Sequence, residues 1–245
     1  MDRYENATYG DHIASRYDEF IPISADQTQA AVETLAALAN GGRVLELGIG
    51  TGRIALPLAE KGLAVQGIDA SSKMLEELRR KPGGDAIPVS LGDFSEVAVE
   101  GRFSLIFVVF NTFFALLTQE AQVRCFANVA THLEPGGVFA MEAFVPDPSR
   151  YVRNQNVAVT TIDLDEVRLA VSLHDPLSQQ VNSQHVVIGN DRTRCYPIQL
   201  RYAWPSELDL MARLAGLRLK ERWSTWQRAA FGSGDSSHIS VYERA

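Results

Sequence analysis

The chain has 245 residues, 46% hydrophobic and 22% charged, with 23 Lys+Arg against 30 Asp+Glu and a formal net charge of −7. That is ordinary globular composition, with the length for one large domain and a sizeable core. The acidic balance weighs against nucleic acid as a partner, because polyanion binding rests on Lys/Arg contacts to phosphate. Cys125 and Cys195 have no C-x-x-C spacing, so neither a zinc signature nor a disulfide framework is present, and free thiols in a reducing compartment are expected. The N-terminal MDRYENATYGDH has no apolar signal core. The most apolar stretch, 103–117, is interrupted by Ser104, Asn111 and Thr112 and falls short of the ~20 residues that span a bilayer. A soluble cytoplasmic protein without a membrane partner is the expectation.

In chain order, Ser24-Ala-Asp-Gln27 reads as a capping box opening a helix that runs to about Ala39 and stops at Asn40-Gly41-Gly42. Val44–Leu47 is a short buried strand, followed by a glycine-rich turn and a helix from about Arg53 to Lys61. Leu63–Ile68 is a second strand, Ser71 or Ser72 caps the next helix, and Pro82-Gly83-Gly84 breaks it. Strands follow at Ala86–Ser90 and Ser104–Phe110, then a Thr118-capped helix to His132, a Leu133–Gly137 turn and a strand over Val138–Ala143. This alternation argues for a parallel α/β sheet with right-handed crossovers. From Tyr151 to Tyr202 the period changes. Val157–Leu164, Glu166–Leu173, Gln179–Ile188 and Thr193–Tyr202 alternate polar and apolar residues, which predicts two inserted antiparallel hairpins. A last helix, Pro205–Ala215, and strands Leu217–Trp223 and His238–Glu243 complete the chain. The organisation expected is a single domain. It comprises a helical cover (1–42), a core (43–147), an inserted β lid (148–204), and a last helix with a hairpin (205–245).

Glu46-Leu-Gly48-Ile-Gly50-Thr-Gly52-Arg53 lies between a buried strand and a helix, where ligands bind at the carboxyl edge of an open α/β sheet. Glycines there let the backbone turn tightly and approach a ligand. The dinucleotide spacing G-x-G-x-x-G fails, since its third glycine would fall on Arg53, and no Lys follows Gly52 as in a phosphate-binding loop. Asp69 ends the next strand, 17 residues past Gly52, where a carboxylate can accept both hydroxyls of a ribose. Gly92-Asp93-Phe94 and Phe110-Asn111-Thr112 end two further strands and offer polar and aromatic groups to the same edge.

These motifs together resemble the class I S-adenosylmethionine-dependent methyltransferases. VLELGIGTGR (44–53), GIDASSKML (67–75), GDF (92–94), FVVFNTF (107–113) and LEPGGVF (133–139) carry the resemblance, which covers about 40–145 and resumes over the last 40 residues. It implies a Rossmann-like, seven-stranded, mostly parallel sheet with helices on both faces, and S-adenosyl-L-methionine as cofactor. Gly48, Gly50 and Gly52 would line its methionine part, with Glu46 orienting the loop or meeting the amino group. Asp69 would bind the ribose, Ala70 and Met74 would pack on the adenine, and Asp93 with the Phe94 backbone would meet its edge. Phe110 carbonyl and Asn111 would lie near the ammonium and the transferring methyl. Ser15-Arg-Tyr17-Asp18 resembles the segment that closes over the cofactor, and Tyr17 or Arg53 would reach the carboxylate; otherwise Tyr17 is a half-buried aromatic and Arg53 a solvated helix-start residue.

The five histidines lack metal spacing, so no metal is expected. His185, in the insertion, is either a general base or a packing residue. Methyl transfer to N or O of a small molecule such as an amino sugar or polyketide is the expected activity, because there is no N-P-P-[YF] tetrad after the fourth strand and no basic tail. A cofactor-holding protein acting as a cyclase or binder, or a nicotinamide-dependent oxidoreductase, are the competing readings. The exposed hairpin edges make a homodimer through the insertion an expectation too.

Overall fold

The computed structural model describes residues 3–20, 24–96 and 99–245; residues 1–2 and 21–23 of the expected cover lie outside them. The cover starts with two short helices, α1 (Thr8–Ile13) and α2 (Tyr17–Phe20), before the longer α3 (Ala25–Ala39). The capping box of α3 is present: Gln27 N donates to Ser24 Oγ at 3.1 Å and Ser24 N to Gln27 Oε1 at 3.4 Å. Asn40, in left-handed conformation, ends the helix.

Five strands alternate with helices: β1 (Val44–Leu47), α4 (Ala55–Glu60), β2 (Val65–Asp69), α5 (Ser72–Arg79), β3 (Val89–Leu91), β4 (Phe103–Val108), α6 (Gln119–His132) and β5 (Leu133–Phe144). The insertion follows as β6 (Gln155–Ile162), β7 (Glu166–Asp175), β8 (Gln180–Gly189) and β9 (Thr193–Arg201), and then α7 (Pro205–Leu214), β10 (Leu217–Trp223) and β11 (Ser237–Arg244) close the chain. The main sheet has the order β10-β11-β5-β4-β1-β2-β3, with β11 antiparallel to both neighbours and the remaining pairs parallel.

Neighbouring residues of β4 face opposite layers, as strand pleating requires. Ile106 and Val108 join Phe126 and Val129 of α6 and Leu208 and Met211 of α7. Leu105 and Phe107 join Val32 and Leu35 of α3, Leu58 of α4 and Leu78 of α5. Both faces are therefore covered, and each such side chain contributes about 1.5–3 kcal/mol of burial. No described helix is long and apolar enough to cross a membrane. Both cysteines are free, Cys125 buried and Cys195 exposed.

Four expectations shift. The fifth strand begins at Leu133 rather than Val138, so the expected Leu133–Gly137 turn is an irregularity inside it, where the register against β4 shifts and Gly136 is left-handed. The third strand is Val89–Leu91 rather than Ala86–Ser90, because Gly84–Ala86 takes a 3₁₀ turn under α5; a Cβ on Gly84 would run into the Leu78 backbone. The fourth strand stops at Val108 because Phe110 and Asn111 are both left-handed, with φ of 56° and 64°. The insertion is one four-stranded meander, β6-β7-β8-β9, rather than two hairpins, since β7 and β8 pair along their whole length.

The lid is tied to the core by Arg201, which is buried at the end of β9. Its guanidinium donates to Gln122 Oε1 and Gln179 Oε1, both at 2.6 Å, and to Glu207 Oε1 at 2.8 Å. At the other side Ile13 and Ala14 of the cover cluster with Met74, Val187 and Tyr196.

Candidate active site

The carboxyl ends of β1, β2, β3, β4 and β5 face the lid across one cavity of about 1090 Å³. Tyr17, Gly48, Gly50, Asp69, Ala70, Met74, Asp93, Phe94, Phe110, Asn111 and His185 all line it. Glu46 and Gly52 stand behind that wall. Gly52 is buried under α5, where a Cβ would strike Leu78, so its glycine serves close packing. Gly48 has φ of 75°, and a Cβ there would meet the Thr112 side chain, so this glycine lets the β1 turn lie against the β4 turn.

Asp69 fixes the loop. Its Oδ2 accepts from Gly50 N at 2.8 Å and its Oδ1 from Ser71 N at 2.9 Å, so one carboxylate joins the glycine turn to the start of α5. Ser71 caps α5 by accepting from Met74 N, and its hydroxyl donates to Asp11 Oδ1 at 2.6 Å. Burial raises the Asp69 carboxyl above the usual range, with the Asp11 charge adding to it, against the lowering by backbone N–H groups. Glu46 is fully buried, and its Oε2 has no hydrogen-bond partner. Burial and the neighbouring Asp69 charge push its carboxyl well up.

The cover lies over this loop. Thr51 Oγ1 donates to Asp18 Oδ1 at 2.8 Å, Lys81 Nζ pairs with Asp18 Oδ2 at 2.6 Å, and Lys81 Nζ also donates to Thr51 O. Arg53 is not simply solvated: its guanidinium lies 5.1 Å from the Tyr17 ring centre and 5.3 Å from that of Phe110. Burial, together with Asp69, Asp18 and Glu46, holds the Tyr17 phenol above its ordinary value against the opposing Arg53 charge. Asp93 is drawn into the cover as well, accepting from Asn6 Nδ2 at 2.5 Å and from Ser95 N at 2.7 Å.

Asn111 Oδ1 accepts from Phe144 N at 2.7 Å, Phe110 N donates to Glu142 Oε2 at 3.0 Å, and Asn111 N donates to Glu142 O at 3.3 Å. Three hydrogen bonds from β5 thus hold two consecutive left-handed residues, each costing about 1–2 kcal/mol outside glycine. Sequence reading missed Glu142, which lines the cavity. Its signal was the one used for Glu46: a lone carboxylate in a strand whose neighbours are buried and apolar. The cavity walls Asn6 and Tyr9 were not singled out either.

On the lid, His185 packs edge-on against Phe20 at 6.1 Å, and burial lowers its pKa, so it is neutral near pH 7. Tyr151 stacks on His174, whose Nε2 is 2.9 Å from Tyr202 Oη. Among the described residues no group of His, Cys, Asp and Glu could hold a metal ion. The charged side chains lining the cavity are Asp69, Asp93, Glu142 and Asp147 against Arg150, so its field favours a cation.

Residues 44–137 match the family model described as Methyltransferase domain. A cypemycin N-terminal methyltransferase from a Streptomyces species is 31% identical over 183 residues, which is 74% of each chain. The structure of the CcbJ methyltransferase from Streptomyces caelestis is similar with a TM-score of 0.93 and 39% identity, over 99% of this chain and 100% of that one. S-adenosylmethionine-bound CalS10, an amino pentose methyltransferase from Micromonospora echinaspora, shares the fold with a TM-score of 0.68 and 19% identity, over 93% of this chain and 94% of that one.

Proposed function

The chain belongs to the S-adenosylmethionine-dependent methyltransferases, and from that premise we propose that it methylates a nitrogen of a small, amine-bearing molecule. The observation that carries this reading is continuity. One cavity runs from the glycine turn to the lid, with four carboxylates and one arginine on its walls. At about 1090 Å³ it exceeds an ordinary single-ligand pocket of roughly 300–1,000 Å³ and suits two ligands placed end to end. By their names, the similar enzymes act on the N-terminus of cypemycin and on an amino pentose, positions that carry an amine, which agrees with an acidic cavity.

The residues present suit the cofactor. The Cβ position of Gly50 opens on free space, and its N–H is already oriented by Asp69. Gly50 N, Ser71 N and Ala70 N donate to the Asp69 carboxylate, whose two oxygens offer about four acceptor sites and so keep one for a ribose hydroxyl. The orphan Oε2 of Glu46 is an acceptor awaiting a donor, which an ammonium near the loop supplies directly or through water. We assign Gly48, Gly50, Glu46 and Tyr17 to the methionine part, and Asp69, Ala70, Met74, Asp93 and Phe94 to the nucleoside. Gly52 acts only through the turn. When bound, the cofactor supplies an electrophilic methyl on a sulfonium. The Phe110–Asn111 turn fixes where that methyl meets the acceptor, and the cover and lid exclude water, so alignment supplies most of the acceleration. His185 lines the lid wall as a neutral polar contact to the acceptor.

The free edge of β6, with Val157, Val159 and Ile162 exposed, suits pairing with the same strand of a second copy.

Calorimetry with S-adenosylmethionine and NAD tests the cofactor assignment. Binding of S-adenosylmethionine alone is expected, and Asp69→Asn weakens it by about tenfold, as loss of a charged acceptor implies. NAD binding without S-adenosylmethionine binding would sink the reading.

A further inference from the structure

The strand ends along the sheet run Asp93 after β3, Asp69 on β2, the glycine turn after β1, Phe110 after β4, and Glu142 on β5. Adjacent strands lie about 4.8 Å apart, so β5 stands roughly 10 Å from β1 and on the opposite side from β2 and β3. The two aspartates assigned to the nucleoside therefore occupy one arm of this edge, and Glu142 occupies the other, one strand beyond the Phe110–Asn111 turn.

Each cavity acid at the strand ends is held by at least two donors: Asp69 by Gly50 and Ser71, Asp93 by Asn6 and Ser95, and Glu142 by Phe110 N, which donates to its Oε2 at 3.0 Å, and by the buried Trp226 indole. What distinguishes Glu142 is its place, beyond the β4 turn rather than on the nucleoside arm, and among the described residues no cation acts on it. Burial raises its carboxyl above the ordinary range. A carboxylate on a cavity wall without a counter-charge costs free energy that a cationic ligand recovers.

We propose that Glu142 is the acceptor-side anionic contact: its carboxylate meets the amine of the methyl acceptor as an ammonium and accepts the proton that the nitrogen must lose before its lone pair attacks the methyl, and the proton later leaves to solvent. This rests on the cofactor placement proposed above. It makes Glu142 a specificity residue that selects amines over neutral alcohols, and it explains why β5 carries a charged residue among Met141, Ala143 and Ala140, all fully buried.

The probe is sinefungin, whose primary ammonium replaces the methyl-bearing sulfonium, measured against S-adenosylhomocysteine, which has no charge there. The wild-type protein is expected to prefer sinefungin. Glu142→Gln keeps an acceptor for Phe110 N and is expected to weaken sinefungin by about tenfold, the range for a charged hydrogen bond, while S-adenosylhomocysteine stays within about twofold. Glu142→Asp keeps the charge and is expected to keep the preference even where both affinities fall, which covers a Gln variant that does not fold. An unchanged sinefungin preference in Glu142→Gln, or its loss in Glu142→Asp, overturns the proposal. Failure of the wild-type protein to bind S-adenosylhomocysteine overturns instead the cofactor placement beneath it.

Discussion

The two sheets that enclose the cavity are built on different terms. In the parallel sheet, β1 is buried at every residue and β4 at all but Ser104. Its ligand-facing groups are set by backbone: left-handed glycines, N–H bonds to Asp69, and the pinned Phe110–Asn111 turn. In the lid, β6 has no buried residue and β7 only His174. Its ligand-facing groups are side chains on a pleated surface, free to change without moving the backbone that bears them. On the placement proposed above, the cofactor half is thus costly to alter and the acceptor half cheap, the arrangement expected of a fold that keeps one reaction and varies its substrate.

The contrast breaks most readily at the lid's anchor. Arg201→Ala leaves Glu207, Gln122 and Gln179 without their shared donor, and breaking such a buried pair costs about 3 kcal/mol. Hydrogen exchange should show protection lost in β8 and β9 but kept in β1 and β4; equal loss in both sheets would erase the distinction between them.

Acid separates the regions more gently. Burial pushes Glu207 up, but hydrogen bonds from Arg201, Gln179 and Gln119 outweigh it and hold it below the carboxylate range. Its contribution is complete above the unfolded Glu value, roughly 4.3, and is lost as pH falls through the lower folded value. Glu46, Asp69 and Glu142 are raised. Their native forms take up protons before the unfolded chain does, so acid relieves a cost there. Lid protection is therefore expected to fall before sheet protection in exchange measurements stepped below about pH 4.

The smallest effect belongs to the outer face of β6. Val159 is 58% exposed, so Val159→Ser should change monomer stability by less than about 0.5 kcal/mol. In a dimer paired through β6, sedimentation would show the variant dissociating at concentrations where the parent protein stays associated.

The sheet was legible because its strands are apolar runs stopped by glycine, and Asp69 because a carboxylate ending such a strand is out of place for packing alone. The antiparallel character of the lid was legible from alternation, but its pairing was not. The turn between β7 and β8 uses Gln179 at φ 58°, where a glycine would have announced a hairpin, and nothing local says that two hairpins merge. The cover's contacts were hidden for another reason. Asn6–Asp93 and Ser71–Asp11 join residues 87 and 60 apart, pairs that no window of sequence relates. Glu142 was visible in principle, yet a single acid among apolar neighbours acquires meaning only when the sheet order places it beyond the β4 turn.

The Asp18 clasp and the Arg201 anchor differ in how they answer to salt. One carboxylate of the cover holds Thr51 in the glycine turn and Lys81 after α5, with the two ionic partners 47% and 30% exposed, whereas the Arg201–Glu207 pair is largely buried. Exposed pairs are screened by salt and buried ones much less. Added salt is therefore expected to loosen the cover over the glycine turn while leaving the lid's anchor as it was.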